Sequence, residues 1–315
     1  MEVPLPGLSE GEVLARAIYL DVAPYMRGRI SPQQNYADGV KPGELMVGGG
    51  IAEIVESRHT EYRVGELIVT DFSFGWQEYA ALKPGQFRRI PKGIAPLPYW
   101  LDAFGLNGLT AYFALFEAGA LQVGEQVAIS AAAGSVGQIA GQLAKIAGAH
   151  ALAFTSSAEK AASCLESGYE RAINYRVEPE LWEAVARECP HGINVFIDNT
   201  AGPIHDAVMQ NLAAHARVVI VGTASLAEKF EQPDIGARFL RQILVARATL
   251  QGFLYLDFQA QHEAARERLI GWYQEGALRS RFDIAEGIEA MPNAFLRLLR
   301  SENFGKQLVR ISAEP

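Results

Sequence analysis

A run of small residues, Ala131-Ala132-Ala133-Gly134-Ser135-Val136-Gly137, joins the apolar stretch EQVAIS directly to the helical stretch SVGQIAGQLAKIAG. Backbone stripped of bulky side chains at such a junction can approach an anion closely. The helix that follows turns its unsatisfied N–H groups and positive dipole end toward that anion. The spacing is that of a dinucleotide fingerprint in which Ala131 replaces the first glycine. Gly141, four residues on, permits close packing of helix on sheet. By itself the string also fits a tight turn between packed elements; its strand–turn–helix context points to a nucleotide.

The next strand should carry the group that chooses between NAD and NADP. An acid at its tip would hold the ribose hydroxyls of NAD. The chain reads ALAFTSSAEK instead, with Thr155, Ser156 and Ser157 at the tip and Lys160 just beyond, while Glu159 falls inside the following element. Hydroxyls and an ammonium suit a 2′-phosphate, which a carboxylate would repel, so the expected cofactor is NADPH/NADP. The same residues also read as a helix start, with Ser157 as N-cap and Lys160 in solvent.

Other chemistry-bearing strings fail on context. Gly7-Leu8-Ser9-Glu10-Gly11 matches a nucleophile elbow but has neither a strand before it nor a helix after it. Tyr79 and Lys83 have the spacing of a short-chain dehydrogenase pair, yet lie in a strand-like stretch ahead of the nucleotide fold. The six histidines show no tight ligand spacing, and Cys164 and Cys189 are too few for a cysteine-rich zinc site or a disulfide framework. No metal is expected. Lys and Arg total 28 against 36 Asp and Glu, a net charge of −8, which argues against nucleic-acid binding. The start MEVPLPGLSEGEVL shows no secretory signal, and no apolar run has the length of a membrane span. The expected setting is the cytoplasm.

These residues need a frame. At about 150 residues per domain, 315 residues predict two domains. Up to about Leu82 the pattern is short and strand-like (EVLARAIYL, LMVGGGIAEIVES, ELIVTDF, GWQEYAAL), broken by Gly and Pro as in an irregular β domain. Pro91 to Pro98 form a plausible boundary. After about residue 104, strands such as NVFIDN and ARVVIVG alternate with helices, which implies a doubly wound parallel sheet. From about residue 281 short mixed elements return, ending in the strand-like KQLVRIS.

The order of β domain, AAAGSVG, SSAEK, INYR, FIDNTAG and NFGKQLVRI resembles the zinc-independent medium-chain dehydrogenase/reductases. Within them it is similar to the branch of leukotriene B4 12-hydroxydehydrogenase/prostaglandin reductases, curcumin reductase and plant double-bond reductases. YLDVAPYMRGR, GLNGLTAYFALFEAG and AAAGSVG carry the likeness most specifically. The resemblance implies an α/β protein: a Rossmann-type NADP-binding domain over 104–280, and a GroES-like catalytic domain built from 1–103 and 281–315. Relatives usually have one more strand-bearing stretch before this chain's start, so an open sheet edge is expected.

The resemblance also implies an activity, the NADPH-dependent reduction of the carbon–carbon double bond of α,β-unsaturated ketones or aldehydes. It puts Gly134, Ser135, Val136 and Gly137 on the pyrophosphate, and Ser156, Lys160 and Tyr175 on the adenosine 2′-phosphate. Asn199 falls near the nicotinamide half. Gly222, Thr223 and Ser225 match the loop beside the cofactor; Phe253, Leu254, Asn303 and Thr110 match further cofactor contacts. Tyr25, in the Pro-Tyr-Met-Arg string, is the catalytic candidate, as hydrogen-bond donor to the oxygen of an enolate. Ala23 stands where relatives have Asp, and Leu106-Asn107 where they have Met-Pro. The loop after VVIVG lacks their Tyr. These departures bear on the substrate side. Two other activities remain open at this point: an NADPH quinone reductase of the same superfamily, and an NADPH-binding protein without turnover. The partners expected are a small unsaturated carbonyl compound and a second copy of the chain, in a homodimer joined at sheet edges.

Overall fold

Branched and aromatic residues punctuated by Gly and Pro set the first elements. The computed structural model describes residues 3–33, 35–227 and 232–315. It begins with β1 (Val13–Asp21), α1 (Tyr25–Arg29), β2 (Gly50–Ser57), β3 (Leu67–Thr70), β4 (Tyr79–Leu82) and β5 (Arg88–Arg89). Strands then alternate with helices: α2 (Leu106–Phe113), β6 (Gln126–Ile129), α3 (Ser135–Ile146), β7 (His150–Thr155), α4 (Ala158–Glu166) and β8 (Arg171–Asn174). The alternation continues through α5 (Leu181–Glu188), β9 (Ile193–Asp198), α6 (Gly202–Met209), β10 (Leu212–Ile220), α7 (Leu240–Ala246), β11 (Thr249–Gly252) and α8 (His262–Gln274). The chain closes with β12 (Phe282–Glu286), α9 (Met291–Leu299) and β13 (Lys306–Arg310). Two compact units result, residues 1–105 with 282–315, and residues 106–281. The proline stretch is not the boundary. It leads into a 3-10 turn over Leu97–Leu101 whose rings pack within the first unit, Tyr99 on Phe104 and Phe282, and Trp100 on Phe104.

In the first unit a mixed sheet runs β12-β13-β1-β2-β3-β5, with β4 also paired to β1. The alternating EVLARAIYL predicts one buried face, yet every residue of β1 except Arg16 is buried. Its position explains this: β2 pairs along one side while β4 and β13 share the other. Among the described residues β4, β5 and β12 each have a single partner strand. Core side chains include Val13, Ile54, Ile68, Phe74 and Phe295. Inside this core the Lys306 ammonium donates to Asp21 Oδ1, both side chains being nearly inaccessible. Burial pushes the Asp21 carboxyl up, and the attraction of Lys306 offsets part of that.

In the second unit the sheet runs β11-β10-β9-β6-β7-β8, every pairing parallel. Its central strands β6, β7 and β9 are mostly buried apolar runs, and Phe154, Phe196, Ile193 and Val218 share the core with Val185 and Val208 of the helices. This is the doubly wound α/β arrangement. No helix among the described residues is long and apolar enough to cross a membrane.

Two glutamines on α3 hold the chain where it leaves this unit. Gln142 Oε1 accepts from Arg279 N (2.8 Å) while its Nε2 donates to Arg279 O (2.8 Å). Gln138, one turn earlier, does the same for Arg281, at 2.9 and 3.2 Å. Each side-chain amide thus copies the paired bonds of a neighbouring strand.

Candidate functional site

Parallel strands end together, and their C-terminal ends are where an α/β sheet of this type binds ligands. After β6 come Ser130 and the small-residue turn. Ala131 adopts φ +50, the left-handed conformation that explains why a glycine is usual here. Its carbonyl accepts from Gly134 N (2.9 Å), which closes the turn. A Cβ on Gly137 would lie 2.4 Å from Ala131 O and 2.6 Å from Ala132 Cα, so only glycine lets α3 start this close to the strand. The helix N-cap is Gly134, and no side chain caps it. The N–H groups at the start of α3, Val136 and Gly137 among them, follow the small residues Gly134 and Ser135, an arrangement that fits a pyrophosphate.

Gly141 has a different neighbour from the one its spacing suggested. A Cβ there would sit 2.0 Å from Tyr169 Cε2, so the glycine accommodates a ring rather than the sheet. Tyr169 Oη donates to Gly137 O (2.6 Å) and thereby braces the first turn of α3 from behind. Full burial raises this phenol well above its ordinary pKa, so it remains a donor. Only its position after Gly168, beyond α4, hinted at it in sequence, and that hint is weak.

At the tip of β7, Thr155 pairs with Asn174 of β8, and Tyr175 N donates to Thr155 O (3.1 Å). The strand tips therefore bring Ser156, Ser157 and Tyr175 to one edge. Ser157 is the N-cap of α4: its Oγ accepts from Lys160 N (3.2 Å). Glu159 is exposed in the first turn of the helix, away from the tip. Ser156 and Lys160 are partly exposed, and Tyr175 packs against the sheet core. Two hydroxyl-bearing residues, an ammonium and a phenol fit a phosphate monoester at this edge.

The ends of β9 and β10 complete the row. Asn199 is held by two bonds to Ser130, its N–H to Oγ and its amide Nδ2 to the carbonyl, each 2.8 Å. A Cβ on Gly222 would lie 2.9 Å from Asn199 O. Ser225 Oγ donates to Thr200 O (2.6 Å) and is engaged within the loop, and Thr223 opens the short turn that follows β10. Past β11, Phe253 N donates to Ile220 O (3.0 Å), and Leu254 follows it half-buried. Phe253 stacks on Phe258, which stacks on Phe113 at 4.8 Å. That stack links this loop to α2, where Thr110 is buried. Gly134 through Leu254 thus lie along one end of one sheet, and Thr110 lies on the helix stacked against it.

Tyr25 and Asn303 belong to the first unit. Tyr25 opens α1 behind Pro24, its ring edge-on to Phe72 (5.4 Å) and its hydroxyl oxygen out of solvent. Asn303 Nδ2 donates to Gly305 O (3.0 Å) just ahead of β13. Ser9 lies in the N-terminal turn, where Glu12 accepts its N–H, and Tyr79 lies on β4. Among the described residues no three His, Cys, Asp or Glu side chains form a group that could hold a metal.

Known proteins resemble this chain in sequence and in fold. Residues 1–90 match the family model described as the N-terminal domain of oxidoreductase, and residues 135–271 the one described as zinc-binding dehydrogenase. The chain is 33% identical to NADPH-dependent curcumin reductase of Escherichia coli (strain K12), over 99% of this chain and 91% of that one. It is 33% identical to 2-alkenal reductase (NADP(+)-dependent) of Nicotiana tabacum, over 96% and 88%. The chain belongs to the zinc-independent medium-chain dehydrogenase/reductases. In three dimensions this family member superposes on CurA from Vibrio vulnificus, solved in complex with NADPH. The TM-score is 0.93 at 31% identity, covering 100% of this chain and 94% of that one. The strand-end row described above, with the turn after β6 at its centre, is the candidate site.

Proposed function

We propose that this NADP-dependent oxidoreductase reduces the carbon–carbon double bond of α,β-unsaturated ketones and aldehydes. The observation that carries the cofactor half is the pair of strand tips at β7 and β8. Ser156 and Ser157 stand at the β7 tip, Lys160 follows in the first turn of α4 and Tyr175 follows β8, and no carboxylate stands at the tip itself, where it would repel a 2′-phosphate. The turn after β6 would hold the pyrophosphate through Gly134, Ser135, Val136 and Gly137. Asn199, Gly222, Thr223, Ser225, Phe253, Leu254 and Thr110 would border the nicotinamide half, and Asn303 is assigned a cofactor contact as well. When bound, NADPH supplies a hydride for the β-carbon of the substrate.

The protein's part is to orient the enone and to receive the charge that develops on its carbonyl oxygen. Tyr25 is assigned that role: a hydroxyl already removed from solvent is a stronger donor to an oxyanion than one bathed in water. The substrate class rests on the relatives named above, which are called curcumin and alkenal reductases. The second copy of the chain is assigned to the free side of β11. That strand is largely exposed at Leu250, and Leu240, Leu244 and Val245 of α7 are also exposed. The cytoplasm is the assigned setting; Cys164 and Cys189 are buried free thiols that suit a reducing compartment.

NADPH oxidation measured with 3-penten-2-one beside 1,4-benzoquinone tests the reading. Faster turnover of the enone, lowered by Tyr25→Phe with the KM for NADPH unchanged, is expected. Preference for the quinone would assign the protein to quinone reduction, and no turnover with either would leave a nucleotide-binding protein.

A further inference from the structure

Asp198, the last residue of β9, is fully inaccessible, and its carboxylate collects donors from several loops. Oδ1 accepts from Thr200 N (3.0 Å), Ala201 N (2.9 Å) and Ser130 Oγ (3.2 Å), and Oδ2 accepts from Nδ1 of His205 on α6 (2.8 Å). Its own carbonyl accepts from Val221 N (2.8 Å) and Gly222 N (3.0 Å) at the end of β10. One residue therefore bonds the ends of β6, β9 and β10, reaching β6 through Ser130, one position before the turn that starts at Ala131.

The backbone it holds is strained. Ala201 has φ +59 and ψ −159, a region almost confined to glycine and costing of order 1–3 kcal/mol, and its N–H is one of those bound to Oδ1. Burying a carboxylate is itself costly, and a strand merely needing a core residue would carry an apolar one. The same Ser130 hydroxyl that donates to Asp198 accepts from Asn199 N. Ser225 fastens Thr200 from the other side.

We infer that Asp198, oriented by His205, is a positioning residue that shapes the 199–201 and 221–225 loops for the nicotinamide half of the cofactor. This rests on the proposed function. Its charge acts at one end of the dinucleotide only, because none of its bonds reaches the β7 and β8 tips.

The test uses His205→Ala and His205→Asn; His205 is on a helix and partly exposed, so its loss leaves the buried carboxylate its other donors. Dissociation constants for NADPH and for 2′,5′-ADP, which carries only the adenosine end, are measured by calorimetry, alongside kcat with 3-penten-2-one. For His205→Ala the expectation is about a tenfold weaker NADPH complex and about a tenfold lower kcat, as for one lost charged hydrogen bond. Binding of 2′,5′-ADP should stay within about twofold of wild type. His205→Asn, whose Nδ2 can replace the imidazole Nδ1 as donor, should recover most of both losses. Equal losses for the two nucleotides, no loss in His205→Ala, or no recovery in His205→Asn would overturn the inference. If the wild type bound neither nucleotide, the cofactor reading would fall with it. If the wild type bound both and only the variants departed from expectation, this inference alone would fall.

Discussion

Lys306 and Lys160 both stand beside the end of a strand, one in each unit, and the protein uses them in opposite ways. Lys306 is 2% exposed, and its ammonium is committed to Asp21 inside the mixed-sheet core. Lys160 is partly exposed in the first turn of α4, just past the tip of β7, on the side where the parallel sheet presents its loops. A buried ammonium committed to a carboxylate joins two strands and has nothing left for a ligand, whereas the partly exposed one beside a strand tip is proposed to meet a phosphate. The two aspartates differ in the same way. Asp21 has an amine for its partner, while Asp198 is held by fixed N–H dipoles, a hydroxyl and an imidazole.

The largest effect should come from breaking the internal pair. Lys306→Met leaves Asp21 buried without its partner and should cost about 3–5 kcal/mol in urea unfolding, with the NADPH-to-NADH affinity ratio unchanged. The double variant Asp21→Asn/Lys306→Met should recover most of that loss; an equally unstable double variant would show that packing, not charge, was at stake. Lys160→Ala should behave in reverse. NADPH affinity is expected to fall about 10- to 150-fold, the equivalent of about 1.5–3 kcal/mol, while NADH affinity and the urea midpoint hold. Equal effects on the two cofactors would remove Lys160 from the phosphate.

Gly141→Ala lies between these cases, a packing contact inside the ligand-binding unit. Its Cβ would collide with the Tyr169 ring, so a loss of about 1–3 kcal/mol without a change in cofactor preference is expected in thermal unfolding. A shift in preference would mean that the brace on α3 reaches the strand tips. The smallest effect concerns pH. Burial holds the folded Asp21 carboxyl above its unfolded value of 3.8, so its stabilising contribution is complete below that value and is lost as pH rises through the raised one. Unfolding of wild type and Asp21→Asn compared over about pH 4 to 7 should show the wild type losing stability relative to the variant as pH rises. A constant gap would show that Asp21 titrates alike in both states.

Local signals carried most of the second unit into the sequence reading. A turn without side chains has few alternatives when an apolar strand enters and an amphipathic helix leaves, and Ser157 reads as a cap because hydroxyls compete for helix N–H groups. Long-range pairings did not show. The partner of Gly141 is Tyr169, reached only after α4, and nothing near either residue announces the other. Asp198 at the end of NVFID was visible as an acid closing an apolar strand, but its donors come from two separate loops and from α6. In the first unit, β1 looked half-exposed because alternation reports one strand, while its burial depends on β2, β4 and β13 surrounding it. Lys306 gave no sign of burial, since its partner lies at the opposite end of the chain.

The glutamine clamp on α3 has an evolutionary corollary. Gln138 and Gln142 grip main-chain groups of residues 279 and 281, so the clamp itself reads the backbone and not side-chain identity. Proline at 279 or 281 should break it, because the missing N–H would release one rung. Drift in the identity of those residues should therefore leave the exit path intact, and loss of either glutamine should not.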